Sequence, residues 1–459
     1  MSSLTHGIKW FSAIEVIAII ISIITPLYLT QYISPKELGV LSIVLLIYNG
    51  LNLLGRPAFG ESRLQMNESQ SSESKVNDSI FLINIVRAIV FIIIFNVISD
   101  LLESYYDYDF SYLIKLMIVV IIISSVRSPR MYLLGKELDY KKLAISESLP
   151  KVLNSVTSLV YAINTQSVES ILYGMIVGTS MRVFLSYLFT PYCFKFQPSF
   201  RSLIPHLKFS FFVMVERIFT YFGNNLDKIF ILLVGNLESL GLYQLGKTIT
   251  YKPVTVVSNF CVSILYPYTS RIKREYTSSV SPIQLRILRL LCVSAIIGLI
   301  IFLFSIPNLK YIFNVKWHES FKYSYILCLA ATLHFFNSTF MKGVLKGFGN
   351  VLIFSKLQLL KSLLLLIVMY LFSEKYGAIS LAYGLVIFEI LVTILMVFSV
   401  KSMSKWVFFL LTVILTIFIF KPMQESNLWV MSPFYFVGLI VLIPTFNSDF
   451  KWVLKNEHQ

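Results

Sequence analysis

Long apolar runs alternate with short polar segments along nearly the whole chain. An apolar run of about 18 residues or more can cross a lipid bilayer as a helix. The pattern predicts an all-α polytopic membrane protein with about 14 transmembrane helices, called spans 1 to 14 below. Their approximate limits are residues 8–30, 38–58, 79–99, 111–128, 146–164, 170–192, 207–234, 240–267, 287–309, 321–341, 351–372, 377–400, 404–420 and 428–446.

Other membrane classes fit this pattern poorly. The runs are continuous rather than alternating, so a transmembrane β-barrel is excluded. The first run is too long for the apolar part of a cleavable signal peptide, and no small-residue cleavage site follows it, so we interpret it as span 1. Composition agrees, since 56% of the residues are hydrophobic and only 14% are charged.

Lysine and arginine are distributed unevenly between the loops on the two sides of the membrane. Most of them fall on the side of the N-terminus, whereas the opposite loop at 100–109 contains acidic residues and no Lys or Arg. The positive-inside rule therefore predicts that both termini are cytoplasmic. The net charge of +15 then reflects topology, and we expect no nucleic-acid partner because the charge is scattered over loops.

No segment between the spans is long enough to form a catalytic domain. The longest polar intervals are residues 59–78 and 270–289, and the chain contains no nucleotide-binding or metalloprotease motif. We therefore predict a protein that is not an enzyme and has no metal or cofactor. Among the histidines, His206 is assigned to a solvated loop, and His334 lies in a span as either an interior hydrogen-bonding group or a proton relay.

Two segments roughly 200 residues apart resemble each other. The first contains IKWFSAIE and then ELGVLSI at Glu37–Ile43, and the second contains LKFSFFVMVE and then SLGLYQL at Ser239–Leu245. Six spans separate the copies, which gives both the same orientation. We predict two six-helix bundles, 1–206 and 207–400, related by a pseudo-two-fold axis along the membrane normal. Residues 401–459 would add two spans and a cytoplasmic tail.

Polar residues recur at helical spacing inside several spans, for example Asn49 and Asn52 in span 2, Glu147, Asn154 and Ser158 in span 5, and Thr179 in span 6. Interhelical hydrogen bonds explain any one of them, whereas a shared aqueous cavity explains the whole set. Cationic side chains in such a cavity suit phosphate or another anion. The predicted substrate-binding lining is Arg56, Arg87, Arg182, Arg217, Lys228, Lys252 and Lys361.

Four carboxylates within spans are candidates for coupling transport to an ion gradient, because a buried carboxylate can bind a proton or a cation. They are Glu15, Glu216, Asp227 and Glu389. The adjacent Lys228 favours a fixed ion pair for Asp227. Glu15 has no basic residue on its own helical face and is the preferred coupling residue.

Three stretches together resemble a known family. They are GIKWFSAIEVIAIIISIITPLYLTQYISPKELGVLSIV near the N-terminus, GRPAFGESRLQ at Gly55–Gln65, and NNLDKIFILLVGNLESLGLYQLGKTI. They are similar to Wzx-type O-antigen and polysaccharide flippases of the multidrug/oligosaccharidyl-lipid/polysaccharide exporter superfamily, and the similarity extends from about residue 7 to 400. Glu15 and Asp227 fall at matching positions, whereas Arg56-Pro57 replaces a plainer turn and puts the role of Arg56 in doubt.

The resemblance implies a substrate and a mechanism. The substrate would be an oligosaccharide repeat unit on undecaprenyl pyrophosphate, flipped from the cytoplasmic to the periplasmic face of the bacterial inner membrane. Transport would proceed by alternating access with an H⁺ or Na⁺ gradient as the drive. The expected partners are this lipid-linked oligosaccharide, membrane lipids and other polysaccharide assembly proteins.

Two alternatives stay open at this point. A drug or cation antiporter of the same superfamily would need a more acidic or aromatic cavity than the basic one predicted here. A membrane-embedded polysaccharide polymerase would need a large outer loop with catalytic residues, and the outer loops at 101–110 and 310–322 are short.

Overall fold

The computed structural model describes residues 24–55, 70–137, 139–275, 280–309, 313–345, 363–371 and 377–399, with a few single residues beside them. These ranges contain helices and turns and no strand, as the apolar pattern predicts. The helices are α1 (Pro35–Gly55), α2 (Gln70–Tyr106), α3 (Ser111–Ser125), α4 (Tyr132–Lys136), α5 (Tyr140–Thr165), α6 (Ser170–Phe189), α7 (Phe200–Val234), α8 (Leu237–Glu275), α9 (Val280–Leu309), α10 (His318–Thr339) and α11 (Gly377–Ser399). Short 3₁₀ turns precede α4 and α10, a π-helical turn follows α10, and residues 24–29 and 363–371 are also helical.

Within the described ranges, four helices are long and apolar enough to cross a membrane: Pro35–Leu53, Glu73–Tyr106, Ser170–Phe189 and Ala378–Met396. The side chains of Ile89, Ile93 and Val97 on α2 are each more than half exposed, which is the pattern of a lipid-facing helix surface. The helices α7 and α8 are 35 and 39 residues long but carry polar and charged residues along their length. Predicted spans 13 and 14 lie outside the described residues.

The start of α1 shows how a local sequence motif fixes a helix end. Ser34 precedes Pro35, and Glu37 stands three residues after the serine. The Glu37 carboxylate accepts hydrogen bonds from the Ser34 backbone N–H at 2.6 Å and from its hydroxyl at 2.8 Å, and the Glu37 N–H donates back to Ser34 Oγ at 3.2 Å. This capping box satisfies N–H groups that a helix start otherwise leaves unpaired.

The chain divides into two compact units. The first contains the described residues up to Asn225 together with Leu237–Gly241, and the second contains Leu226–Asn236 and the described residues from Leu242 onward. In the first unit α5 packs along α6, and α3 packs against α1, α2 and α6. In the second unit α10 packs against α9 and α11, and most of its side chains are buried. The predicted bundle boundaries stay a prediction.

Small residues set the distance between α5 and α6. A Cβ atom added to Gly174 would lie 1.9 Å from Ser158 Oγ, and one added to Gly178 would lie 2.8 Å from the Pro150 carbonyl oxygen. Part of the polar stripe predicted on span 5, Asn154 with Ser158, is therefore used for close helix packing rather than for lining a cavity.

The two Leu-Gly sequences of the internal repeat meet within the first unit. A Cβ atom on Gly39 would lie 1.9 Å from the Leu237 carbonyl oxygen, and one on Gly241 would lie 1.8 Å from the Pro35 carbonyl oxygen. Each glycine thus faces the residue four positions before the other, so the contact is reciprocal. Only glycine allows this backbone approach between α1 and α8, although the pseudo-two-fold axis of whole bundles stays a prediction.

A buried polar network closes one end of the first unit. The Asp78 carboxylate accepts hydrogen bonds from Tyr192 Oη at 2.7 Å and from the backbone N–H groups of Lys195 and Gln197. This fastens the segment between α6 and α7. The prediction that His206 lies in a solvated loop is wrong. The helix α7 already begins at Phe200, and His206 is 3% exposed and forms a hydrogen bond with Ser62 Oγ.

Candidate functional site

A cavity of about 230 Å³ lies between α1, α3 and α6 of the first unit. The predicted polar faces of spans 2 and 6 both contribute to it, and polar side chains make up most of its wall. The lining residues are Tyr48, Asn49, Asn52, Ser124, Arg127, Thr179, Arg182 and Val183.

Two arginines give this cavity its electrostatic character. Arg127 Nη2 donates to Glu147 Oε1 at 3.0 Å, and Arg182 Nη2 lies 3.7 Å from Glu147 Oε2. The Glu147 carboxylate thus contacts both guanidinium groups. In addition, Arg182 Nε is buried and finds no acceptor among the described residues. Two guanidinium groups beside one carboxylate, with a buried donor on Arg182, suit an anion with several acceptor oxygens.

Of the charged residues around this cavity, Arg182 belongs to the predicted substrate-binding lining, whereas its charged neighbours do not. Arg127, which is not part of the predicted lining, also lies in the cavity wall. Glu147 belonged to a predicted polar stripe without an assigned role. A signal existed in the sequence, since the basic residue ends span 4 and the carboxylate begins span 5, on opposite sides of one short loop.

The other predicted cationic residues lie elsewhere. Arg87 on α2 is 8% exposed, with its guanidinium 5.7 Å from the centre of the Phe91 ring, and does not line this cavity. Arg217 is half-buried on α7 in the first unit, whereas Lys228 and Lys252 belong to the second unit. Arg56 and Lys361 lie outside the described residues.

The second unit has its own buried charges, beginning with Asp227 on α7. This carboxylate is 1% exposed and accepts hydrogen bonds from Lys247 Nζ at 2.5 Å and from Tyr243 Oη at 2.5 Å, both on α8. The predicted fixed ion pair thus exists, but its direct partner is Lys247 rather than the adjacent Lys228. Consecutive residues point in different directions on a helix, whereas Tyr243 and Lys247 are four apart and share a face.

A second buried cluster joins α10 and α11. Glu389 is 2% exposed, and its Oε1 lies 2.9 Å from Nδ1 of His334. The Asn337 amide donates to Glu389 Oε2 at 2.7 Å, and the Thr393 hydroxyl donates to Asn337 Oδ1 at 3.0 Å. His334 thus makes a hydrogen bond to Glu389 in the interior of the second unit, and its role stays a prediction. Of the other coupling candidates, Glu15 lies outside the described residues, and Glu216 is on α7 with its side chain not described.

Helices of this length with buried ion pairs define a multi-pass membrane protein, and solved structures share the fold. One is the lipid II flippase MurJ in an inward closed conformation, with a TM-score of 0.72 and 14% identity over 98% of this chain and 100% of that chain. Another is an outward-facing multidrug resistance MATE family transporter of the MOP superfamily, with a TM-score of 0.53 and 14% identity over 85% and 93% of the two chains. These likenesses confirm the predicted all-α polytopic fold class.

The sequence identifies the family. A family described as "Polysaccharide biosynthesis protein" matches residues 28–322, and the chain belongs to it. The lipopolysaccharide biosynthesis protein WzxC of Escherichia coli K12 is 21% identical over 85% of this chain and 80% of its own length. The succinoglycan biosynthesis transport protein ExoT of Rhizobium meliloti is 20% identical over 76% and 70%. The predicted resemblance to polysaccharide flippases is thereby confirmed.

A third relative matches over a shorter part of its length. It is an uncharacterized membrane protein in the cps region of Klebsiella pneumoniae, 22% identical over 58% of this chain. The chain spans 55% of that protein's length.

Proposed function

We propose that this protein is a flippase that moves undecaprenyl-pyrophosphate-linked oligosaccharide repeat units from the cytoplasmic to the periplasmic face of the bacterial inner membrane. It would act by alternating access, with an ion gradient as the drive. The observation that carries the proposal is the cavity with Arg127, Glu147 and Arg182, in a chain of the polysaccharide biosynthesis family. The family and fold favour a lipid-linked saccharide, and the arginines favour its pyrophosphate.

The geometry supports a simple exchange of anions. Without substrate, Glu147 neutralises part of the arginine charge. A pyrophosphate offers more acceptor oxygens than a carboxylate, and guanidinium groups bind such oxygens in pairs. The amides of Asn49 and Asn52 and the Thr179 hydroxyl line the same wall, where they can bond to the phosphate or to the first sugar. The apolar prenyl chain needs no polar partner and would stay in lipid.

The Arg127–Glu147–Arg182 arrangement argues against the two alternatives. A drug or cation antiporter would bind a positive charge, which two arginines repel at short range. A polymerase would need a catalytic group beside the saccharide, and the described cavity wall offers amides, hydroxyls and guanidinium groups instead. A flippase for an anionic substrate is the function that uses the positive charge of the two arginines.

The proposal is tested by complementation in a strain that lacks its own copy of the protein. Each charge-assisted hydrogen bond is worth about 1.5–3 kcal/mol, so Arg182→Ala should weaken substrate binding about 10- to 100-fold. We expect lost surface polysaccharide and accumulated lipid-linked intermediate at wild-type protein levels. Arg182→Lys should rescue only in part, because an ammonium lacks the paired donors.

The chain offers a matched control in Arg130. This arginine follows Arg127 closely, but its side chain bonds to the Pro191 carbonyl at 3.0 Å and lies 3.6 Å from Glu73, outside the cavity wall. Arg130→Ala removes the same charge and should leave surface polysaccharide at the wild-type level. Equal losses for Arg130→Ala and Arg182→Ala, or no loss for either, would contradict the proposed site.

A further inference from the structure

The segment between α6 and α7 contains a backbone conformation that phenylalanine rarely adopts. Phe196 has a φ angle of 56°, in the left-handed region that favours glycine. Such a conformation is disfavoured by about 5- to 150-fold and persists only where the surrounding structure holds it. The Phe196 side chain is also 82% exposed. Burial within the protein therefore does not explain why a phenylalanine stands at this position.

A buried carboxylate on α2 holds this residue in place. Asp78 is 0% exposed, and its Oδ2 accepts hydrogen bonds from the backbone N–H groups of Lys195 at 3.2 Å and Gln197 at 3.0 Å. Its Oδ1 accepts a hydrogen bond from the Tyr192 hydroxyl at 2.7 Å. Both chain neighbours of Phe196 are thus fastened to one carboxylate. We call residues 192–197 the aromatic finger.

Stacked and tilted rings support the aromatic finger from α2 outward. The ring centre of Phe81 on α2 lies 5.4 Å from that of Tyr192 and 5.6 Å from that of Phe194. The Phe194 ring in turn contacts the Phe196 ring edge-on, with the centres 4.5 Å apart. The finger is therefore held by rings as well as by hydrogen bonds, and its last ring projects from the protein.

The aromatic finger lies at the ends of two apolar helices. The helix α6 is a candidate membrane span that ends at Phe189, and Phe184 and Leu188 are 60% and 58% exposed one turn apart in its last part. Asp78 stands near the start of another candidate span, Glu73–Tyr106. Because the finger bonds to Asp78, it lies where these helices leave the hydrocarbon.

The exposed apolar surface continues into the first turns of α7. Phe200 and Ile204 are 58% and 48% exposed and four residues apart, so they share one helix face. Leu203 points the other way into a buried cluster with Phe59. An exposed apolar face at the end of a membrane span is typical of a segment that lies in the bilayer interface.

The charge of this segment is entirely positive. Residues 190–208 include Lys195, Arg201 and Lys208 and contain no aspartate or glutamate. They belong to the side of the membrane on which basic residues predominate, which is the predicted cytoplasmic side. Anionic lipid headgroups attract basic residues beside a membrane by about fivefold per Lys or Arg.

We propose that the aromatic finger is an anionic-lipid anchor. The Phe196 ring inserts beside the headgroups, Lys195 contacts a lipid phosphate, and Asp78 is the positioning residue that presents the ring. Burying a phenylalanine side chain favours the buried state by about 10- to 150-fold, which offsets the backbone penalty. A protein partner typically covers roughly 800 Å², whereas one aromatic side chain offers about 150–250 Å². The anchor does not depend on what the chain transports.

Insertion is measured by lipid quenching of the full-length protein. The variant Phe196→Trp is placed in nanodiscs of phosphatidylethanolamine and phosphatidylglycerol whose acyl chains are brominated near the headgroup. The emission that it adds to the wild-type signal should be shifted to the blue and mostly lost to bromine. The control is Lys141→Trp, at an exposed position in the first turn of α5. Quenching at position 196 that is no stronger than at position 141 would overturn the anchor.

The positioning role of Asp78 has its own test. Asp78→Asn keeps the shape of the side chain and removes the charge that holds two N–H groups, so it should restore most of the quenched emission of Phe196→Trp. Tyr192→Phe removes only one hydrogen bond from Asp78, should restore part of the emission, and serves if Asp78→Asn does not fold. Unchanged quenching in the folded variants would refute this role.

The kind of occupant is decided by two further measurements. Brominated phosphatidylglycerol should quench Phe196→Trp more strongly than brominated phosphatidylethanolamine does, and Lys195→Glu should reduce this preference. Equal quenching by both lipids would overturn the anionic headgroup contact. A photoreactive benzoylphenylalanine in place of Phe196 should form adducts with phospholipid in native membranes, and a protein adduct instead would overturn lipid as the occupant.

Discussion

The ion pair between Asp227 and Lys247 allows a quantitative prediction about stability. The pair is almost fully buried, with side-chain exposures of 2% for Asp227 and 14% for Lys247, and its N···O distance is 2.5 Å. The variant Asp227→Asn keeps the shape of the side chain and removes its charge. Lys247 then loses the Asp227 carboxylate while it stays buried, and the adjacent Lys228 adds to the local positive charge.

The expected magnitude follows from the distance. At an ordinary ion-pair distance of about 2.8 Å and an effective dielectric constant of about 20, the direct attraction is about 6 kcal/mol. Part of it offsets the cost of burying the two charges, and removing one partner of a buried pair typically costs about 3–5 kcal/mol. We expect Asp227→Asn to lower the free energy of unfolding by about 3–5 kcal/mol.

A double-mutant cycle isolates the ion pair. Lys247→Met should cost less than Asp227→Asn, because Asp227 keeps the Tyr243 hydrogen bond and the nearby charge of Lys228. The double variant buries neither charge of the pair and should be about 2 kcal/mol more stable than Asp227→Asn. Unfolding in detergent followed by tryptophan fluorescence measures all three, with each variant compared at equal protein and detergent concentration.

The control is the exposed pair of Glu319 and Lys322 on α10, which are 65% and 67% exposed and 3.9 Å apart. Exposed pairs contribute about 0.2–1 kcal/mol, so Glu319→Gln should change stability little. The reasoning fails if Asp227→Asn is as stable as Glu319→Gln. It also fails if the double variant is less stable than Asp227→Asn.

Two further predictions concern helix packing and helix capping. The variant Gly178→Ala places a Cβ 2.8 Å from the Pro150 carbonyl oxygen and should lower the free energy of unfolding by about 1–3 kcal/mol. The control is Gly298→Ala, whose added Cβ has no atom within 4 Å. The thermal unfolding temperature of this control should not fall. Asp139 caps α5 by accepting from the Lys142 N–H at 3.2 Å, so Asp139→Ala should cost about 1 kcal/mol. Hydrogen bonds from Lys142 lower the pKa of Asp139, so this stabilisation is present above the unfolded-state pKa and is lost as the pH falls through the lower folded-state pKa. A difference in unfolding temperature between the wild type and Asp139→Ala that did not shrink in acid would contradict the capping role.

Much of the fold could be predicted because it depends on local properties of the chain. An apolar run of the right length forms a helix in a membrane whatever its neighbours are, since the backbone must satisfy its own hydrogen bonds there. The capping box at Ser34 and Glu37 is also local, because both partners lie within one helical turn. Spacing placed Asn49 with Asn52, and Thr179 with Arg182, on common helix faces.

The groups that pack against those helix faces could not be predicted from the local sequence. The polar stripe of α5 divides between packing against glycines, through Asn154 and Ser158, and an ion pair through Glu147. The same residue types at the same spacing serve both purposes. The distinction depends on whether the facing helix offers a glycine or a guanidinium group, which is information held elsewhere in the chain.

The sequence by itself determined that this is an all-helical membrane protein, that its spans carry buried charge, and that it resembles polysaccharide flippases. Only the tertiary structure decided which charges are partners. Asp227 pairs with Lys247 on the next helix rather than with adjacent Lys228, and His334 pairs with Glu389 across 55 residues. The physical reason is that neighbouring side chains on a helix diverge by about 100°, whereas residues distant in sequence can converge in a low-dielectric interior where pairing is strongly favoured.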